Sequence, residues 1–447
     1  MDKIINDLRN FFNTNNTKSF EFRLNNLKKL LNIVKANEDK IYEALYKDLN
    51  KSKEESYLSE LGLFYKEINY FIKNLKRLMK PKKVKTSNYN FKSIGYVYNE
   101  PYGLTLIITP WNYPFYLPMV SLIASIATGN VTLMKLSSLS INTSKLLEDL
   151  INNNFENNYI FVITDDKFNK DLLKFKYDKI FFTGSTNVGK LYYDNASKNL
   201  TPITLELGGK SPVIIDKNCN IELSCKRIVF GKLLNAGQTC IAPDYILVPR
   251  YNYSYFIKRL KETFDKFLDK EELPKIINER HFVRLTNYLN EGKIIYGGDY
   301  DRNTLKIYPT LITELKEEDK LLNEEIFGPI LPIIIYENIE DAIKIINKKP
   351  KPLAFYLFSN NNEIVNKVLN EISFGNGCIN DTIMQISENT LPFGGVSESG
   401  IGRYLGKESF KTFSNQKSIL QKSIKFDFDI RYQPFKNKLE KYKKLIK

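Results

Sequence analysis

Histidine is almost absent from this chain of 447 residues, which carries His281 alone. Serine–histidine–aspartate and cysteine–histidine catalysis both need an imidazole, and so do most catalytic zinc sites. All such chemistry would have to run through His281, which sits in NERHFVRL, a helix-like run where a packing or capping role is expected. Cysteine is scarce as well: Cys219, Cys225, Cys240 and Cys378 form no C-x-x-C pair that would hold zinc or act as a redox dithiol. Reduced thiols in a reducing compartment are therefore expected. No run of about eighteen uncharged apolar residues occurs, and MDKIINDLRN opens as a charged amphipathic pattern rather than a secretory leader. A soluble, intracellular protein is the expectation. G-x-G-x-x-G is missing too, which removes the ordinary dinucleotide fingerprint. Acidic residues fall short of basic ones, 51 against 66, for a net charge of +15. Such an excess suits nucleic acid or an anionic membrane. The lysines, however, are spread among Asn and Ile, as in NKKPKP, rather than gathered with stacking aromatics, so no nucleic-acid partner is expected.

At this length two domains are expected. The first eighty residues read as helices, with Ile4, Ile5, Leu8, Phe11 and Phe12 at helical spacing, then Leu24 to Val34, then Leu61 to Leu75, stopped by Pro81. FKSIGYVYNEP, residues 91 to 101, alternates like an exposed hairpin. From residue 103 short apolar strands alternate with helices: GLTLIIT, NVTLMKL, YIFVIT, KIFFTG and PITLEL. That rhythm marks an α/β fold, a parallel sheet covered by helices on both faces. A second series, PVIID, YILVP, PTLIT and ILPIIIY, begins after Pro212, so a domain boundary is placed near residue 209.

Four stretches interrupt this pattern with chemistry. Asn235-Ala-Gly-Gln-Thr-Cys240 puts a cysteine among small polar residues, away from any apolar run, as a reachable and reactive thiol requires. Phe182-Thr-Gly-Ser-Thr-Asn-Val-Gly-Lys190 begins like a P-loop, but Leu191 stands where a magnesium-binding hydroxyl is needed. A strand–Gly–helix junction still suits a pyrophosphate, although glycines for helix packing explain the motif equally. Leu205-Glu-Leu-Gly-Gly-Lys210 sets Glu206 in an apolar run, either as a general base with a raised pKa or as an edge glutamate facing water. Thr109-Pro-Trp-Asn-Tyr-Pro114 fixes a rigid loop at a strand end, where Asn112 offers an amide to an oxyanion or the loop is simply an aromatic plug.

Together these stretches resemble the aldehyde dehydrogenase superfamily, in particular its class 3 and fatty-aldehyde branch. PWNYP, FTGSTNVG, ELGGK, GQTC, EEIFGP (324–329) and LPFGGVSESGIGR (391–403) follow one another in the family's order, and the likeness runs to about residue 425. It implies a Rossmann-type NAD(P)-binding domain over 1–81 and 102–208, and an α/β catalytic domain over 209–410. A small β oligomerisation arm, from 82–101 and 411–430, and a basic tail over 431–447 complete the expected layout. The strand near 415–425 would join the 82–101 hairpin in a homodimer. By the same resemblance, Cys240 attacks the aldehyde, and the Asn112 side chain and Cys240 backbone N–H hold the thiohemiacetal oxyanion. Glu206 then activates the water that opens the thioester. Glu325 holds the nicotinamide ribose with Phe327 beside it, and Lys135 reaches the adenosine ribose. Gly184, Ser185 and Gly189 belong to the pyrophosphate motif, and Tyr113 lines the substrate tunnel. NAD or NADP is the implied cofactor, an aliphatic or aromatic aldehyde the substrate, and no metal is called for.

One departure concerns that cofactor. Family members commonly carry K-P-S-E after the adenosine lysine, whereas Lys135-Leu-Ser-Ser138 lacks the glutamate. Loss of that charge predicts that NADP is accepted as well as NAD. The tail RYQPFKNKLEKYKKLIK sets Phe435, Leu439, Tyr442 and Ile446 at helical spacing opposite lysines, a pattern shared by peripheral membrane helices and by plain solvated tails. Two rival activities stay open: a coenzyme-A-dependent aldehyde dehydrogenase or acyl reductase, and a catalytically silent binding protein on the same fold.

Overall fold

The structure, a computed structural model, describes residues 1–446; Lys447, the last lysine of the expected basic tail, lies outside the described residues. Helices open the chain at Asp2–Asn13, Phe20–Ala36, Glu38–Leu49 and Gly62–Met79. In the last of these Phe64, Ile68, Phe71 and Leu75 recur every three or four residues, and all are fully buried. They pack against the Tyr116–Thr128 helix, which is apolar on every side and buried along its whole length.

Strands β1 (Lys82–Val84) and β2 (Ser93–Pro101) come next. Within the stretch 91–101, residues 93–101 are therefore one continuous strand, and its hairpin partner is the upstream β1 rather than a second strand within the stretch. Then follow β3 (Leu104–Ile108), β4 (Val131–Lys135), β5 (Ile160–Ile163), β6 (Lys179–Thr183) and β7 (Ile203–Glu206), and in the second series β8 (Pro212–Ile215) and β9 (Tyr245–Pro249). Beyond these lie β10 (Lys293–Tyr296), the small ribbon β11 (Tyr300–Asp301) and β12 (Lys306–Ile307), β13 (Thr310–Thr313) and β14 (Ile330–Tyr336). The chain ends its sheets with β15 (Ala354–Phe358), β16 (Asn376–Ile379), β17 (Gly400–Ile401) and β18 (Ser414–Lys422).

Two large sheets result, in the orders β17-β7-β6-β3-β4-β5 and β10-β13-β14-β9-β8-β15-β16. Both are parallel apart from β17 and β10, which run antiparallel to their neighbours. The break between β7 and β8 coincides with the change of sheet near residue 209. The chain nevertheless returns: β17 pairs with β7, and the Gly406–Thr412 helix packs on the Gly62–Met79 and Tyr116–Thr128 helices, so residues 400–412 sit with the first sheet rather than the second. The third sheet, β1-β2-β18, pairs all nine residues of β18 with β2 of the same chain. The expected joining of these segments is thus made within one molecule.

Candidate active site

The Ile221–Leu233 helix runs out into a turn in which Asn235, Ala236 and Gly237 are all left-handed, with φ of 52°, 51° and 71°. For the two non-glycine residues this conformation costs about 1–2 kcal/mol each. A dense set of bonds holds it. Asn235 N donates to Glu55 Oε1 at 2.6 Å, and Asn235 Nδ2 donates to Asn112 O at 2.8 Å and Gln238 O at 3.0 Å. Gln238 bonds in turn to the backbone of Asn235, Lys275 and Ile277. Gly237 must lack a side chain, because a Cβ there would lie 2.3 Å from Gly328 O. This braced turn delivers Cys240, partly buried, to the wall of a cavity of about 160 Å³. Burial pushes the Cys240 thiol up, with Glu325 and Glu206 adding to the effect, while the backbone N–H groups of Cys240 and Ile241 oppose it.

Glu206, the last residue of β7, shares that cavity and is 3% exposed. The solvent-facing alternative is therefore excluded. Neither carboxyl oxygen has a hydrogen-bond partner among the described residues, and burial raises its pKa well above the ordinary range against the pull of Arg403. Space for the side chain comes from Gly394, where a Cβ would lie 2.9 Å from Glu206 Oε1. Asn112 is 2% exposed; its Nδ2 donates to Gln238 O at 3.1 Å, which ties the loop after β3 to the cysteine loop. Tyr113 lines the cavity, its hydroxyl 2.6 Å from Thr239 Oγ1. The rest of the wall is mostly apolar, including Leu58, Tyr116, Phe230, Ile383 and Phe393, with Ser59, Thr183 and Ser387 among them.

A dinucleotide belongs in an α/β sheet where the strand order reverses. Here β3, β4 and β5 step one way and β6 and β7 lie on the other side of β3, so the crevice opens between the carboxyl ends of β3 and β6. Gly184 and Ser185 stand at that point, and the Thr186–Asn199 helix begins there with no side chain capping its N–H groups. The positive end of the helix and its free donors fit a pyrophosphate. On one side lies a cleft of about 380 Å³ lined by Thr109, Lys135, Ser138, Asp166, Val188 and Leu191. On the other, Thr186, Gly208, Lys349 and Glu325 line a cleft of about 900 Å³. Burial, then Asp244, pushes the Glu325 carboxyl up to about 8. Gly208 makes room for it, since a Cβ there would lie 2.1 Å from Glu325 Oε2. Phe327 is left-handed at φ 52° and meets Trp111 edge to face, while Trp111 also touches the His281 ring. Gly189 is placed otherwise than expected. It is buried under its helix, where a Cβ would come 2.7 Å from Leu207, so it serves close packing on the sheet.

Set beside known proteins, residues 1–419 match the Aldehyde dehydrogenase family. The chain belongs to that family. It is 44% identical to the 4,4′-diaponeurosporen-aldehyde dehydrogenase of Staphylococcus aureus, over 99% of this chain and 98% of that one. The rat aldehyde dehydrogenase family 3 member A2 is 40% identical over 97% of this chain and 91% of its own. A solved structure described as the substrate-bound state of S. aureus AldH superposes with a TM-score of 0.97 at 44% identity, covering 100% of this chain and 99% of that one. This aldehyde dehydrogenase accordingly carries out NAD(P)-dependent oxidation of aldehydes.

Several groups that build the site escape sequence reading. Lys51 and Glu60 form an ion pair of 2.6 Å with both side chains fully buried. Lys51 Nζ also donates to Asn112 O at 3.1 Å and lies 4.1 Å from the centre of the Tyr113 ring. The second oxygen of Glu60 accepts from the N–H groups of Phe115 and Tyr116. Lys210, in the ELGGK motif, pairs with buried Asp244 at 2.5 Å, and Asp244 accepts from Ile326 N, which anchors the loop carrying Glu325. His281 is a packing residue as expected: burial, then Arg284 and Arg280, lower its pKa to about 4, so it is neutral at physiological pH.

Proposed function

We propose that Cys240 is the nucleophile and Glu206 the base for water in the oxidation of apolar aldehydes to carboxylic acids. One observation carries this reading: a carboxyl group with both oxygens unpartnered opens into the same apolar cavity as the thiol. The Cys240 sulfur, once ionised to the thiolate, adds to the aldehyde carbon, and the resulting oxyanion accepts from the Asn112 amide and the Cys240 backbone N–H, donors fixed before the reaction. When bound, the dinucleotide supplies the hydride acceptor, held by Glu325 and Phe327 at its nicotinamide end and by Gly184 and Ser185 at the pyrophosphate, while Lys135 braces Asp166 at the adenosine end instead of reaching the ribose itself. Glu206, once ionised, takes a proton from the water that opens the Cys240 thioester and releases the acid. Release to coenzyme A needs no such base, which favours hydrolysis over the thiol-transfer alternative. The apolar lining favours medium- or long-chain aliphatic or aromatic aldehydes, in keeping with the name of the S. aureus relative.

Intact-mass measurement after mixing Glu206→Gln with NAD and decanal tests the assignment. An acyl adduct that accumulates on the variant, is absent from Cys240→Ala and is absent from the wild type supports it. Release of the adduct from Glu206→Gln as fast as from wild type, without added thiol, removes Glu206 from that step.

Two further parts of the reading concern assembly. The outer edge of β18 is open over nine residues, and Ile419 and Leu420 are half-exposed on it, a liability that a second copy would cover. A mouse relative at 38% identity is named dimeric and NADP-preferring. Light scattering should find a dimer that Leu420→Arg splits. The Leu439–Ile446 helix leaves Leu439 and Ile446 exposed, close in sequence to the Phe426–Phe428 aromatic pair, as suits peripheral contact with anionic lipid from the cytoplasmic side. No described helix is long and apolar enough to cross a membrane. Equal co-sedimentation with phosphatidylserine vesicles by the full chain and by one ending at Ile430 would remove that role.

A further inference from the structure

We propose that Asp166 selects NAD over NADP at the adenosine end of the cofactor cleft. This rests on the reading that the cleft between Thr109, Lys135 and Val188 takes the adenosine half. Lys135 ends β4, the strand next to the crevice, where dinucleotide folds meet the adenosine ribose and commonly present an acid to its 2′-hydroxyl. Residues 135–138 contain no acid, and from them alone a tolerance for NADP is expected. The fold supplies one from elsewhere. The turn after β5 brings Asp166 Oδ1 to 2.9 Å from Lys135 Nζ, and Oδ2 accepts from Ser138 Oγ.

Donor bookkeeping then decides what the cleft can recognise. An ammonium has three N–H donors. Those of Lys135 go to Leu136 O at 2.8 Å, Thr164 O at 3.0 Å and Asp166. Ser138 has one hydroxyl proton, and it also goes to Asp166. Neither side chain has a proton left for a phosphate. The Thr109 and Ser137 hydroxyls and the Asn169 amide also line the cleft, but its one acidic lining group is the Asp166 carboxylate, about half exposed and able only to accept. A ribose 2′-hydroxyl donates to such a group, whereas a 2′-phosphate offers only acceptors and further negative charge. Burial works against the charge on Asp166, but the Ser138 hydroxyl and the Lys135 ammonium outweigh it and hold the carboxyl below its usual range, so the charge persists at neutral pH. Lys170 also lines the cleft, but as an exposed point charge on a flexible stem it contributes little.

Calorimetric titration of the full chain with NAD, NADP, ADP-ribose and 2′-phospho-ADP-ribose reads the preference without turnover. Wild type is expected to bind each 2′-phosphorylated ligand about tenfold more weakly or worse than its partner, the scale of one charged hydrogen bond exchanged for a repulsion. Asp166→Asn keeps the shape and removes the charge, and Asp166→Ser removes the carboxyl altogether. Both should bring the two ligands of each pair within about threefold, chiefly by tightening the phosphorylated one. Wild-type affinities within threefold of each other, or a ratio that neither variant moves, overturn the proposal. Val188→Trp fills the same cleft and separates the two levels of the argument. If it abolishes binding of all four ligands while the Asp166 variants leave the ratio unmoved, only the role of Asp166 fails. If Val188→Trp binds all four like wild type, the cleft is not the adenosine site and both readings fall.

Discussion

Replacing Lys51 by methionine tests whether the buried ion pair, rather than the loop sequence, holds the PWNYP loop in place. Methionine keeps the apolar stem and removes the ammonium. It leaves the Glu60 carboxylate fully buried with Oε1 bare, although Oε2 keeps its bonds from Phe115 and Tyr116. Breaking a buried pair from one side in this way costs about 3–5 kcal/mol. At about 2.1 cal/mol/K per residue, the unfolding entropy of 447 residues is near 0.9 kcal/mol/K, so the melting temperature should fall by about 3–5 °C. If the first sheet and its helices melt as their own unit, the shift is larger. Lys51→Met/Glu60→Gln should recover most of the loss, because the amide oxygen can still accept from both backbone N–H groups and no charge is left unpaired. Activity follows separately: Asn112 O loses its 3.1 Å bond to Lys51, so kcat should fall more than KM rises. Differential scanning fluorimetry of the two variants beside Glu60→Gln gives the full double-mutant cycle. A single variant melting within 1 °C of wild type, or a double variant worse than either single one, refutes the argument from burial.

Gly208→Ala should raise the dissociation constant for NAD by about tenfold or more, because its Cβ would occupy the space of Glu325 Oε2; titration calorimetry checks it. Gly189→Ala forces a methyl group against Leu207, and overpacking of this kind costs about 1–3 kcal/mol, visible as a lower melting temperature with cofactor affinity nearly unchanged. Because Glu206 is a base only when ionised and burial raises its pKa, the deacylation rate should climb with pH well beyond the ordinary carboxylate range; a rate flat from pH 6 to 9 in stopped-flow would contradict this. Stability should run the other way. Glu67, raised to about 7 by burial, takes up a proton on folding between its unfolded value near 4.5 and pH 7, so its contribution is complete below that lower value and is lost as pH rises through 7. Glu67→Gln, which can still accept from Gly406 N, should flatten the fall in melting temperature between pH 5 and 7.

What could be read from the sequence is what local chemistry encodes. Strands β3–β9, β13 and β14 announce themselves as short apolar runs while β10, β15, β16 and β17 go unread, and Cys240 and Glu206 stand out because each breaks the apolar or polar pattern around it. The groups that brace them do not, because their partners are remote: Asn235 meets Glu55 across 180 positions, and Lys51 meets Asn112 across 61. In sequence Lys51 and Glu60 look like any charged pair on an amphipathic helix, and only their complete burial makes them structural. Gly189 misled for a related reason. A glycine at a strand–helix junction is required both by a pyrophosphate and by close packing, and only the 2.7 Å approach of Leu207 separates the two. The cofactor preference shows the same limit most sharply. Counting charge along residues 135–138 finds a lost acid and leads to NADP being accepted as well as NAD, whereas the carboxylate proposed to select between them comes from the end of the next strand, 28 positions from Ser138. Electrostatic selection depends on which charges converge in space, and in a parallel sheet the carboxyl ends of neighbouring strands converge although helices separate them in the chain.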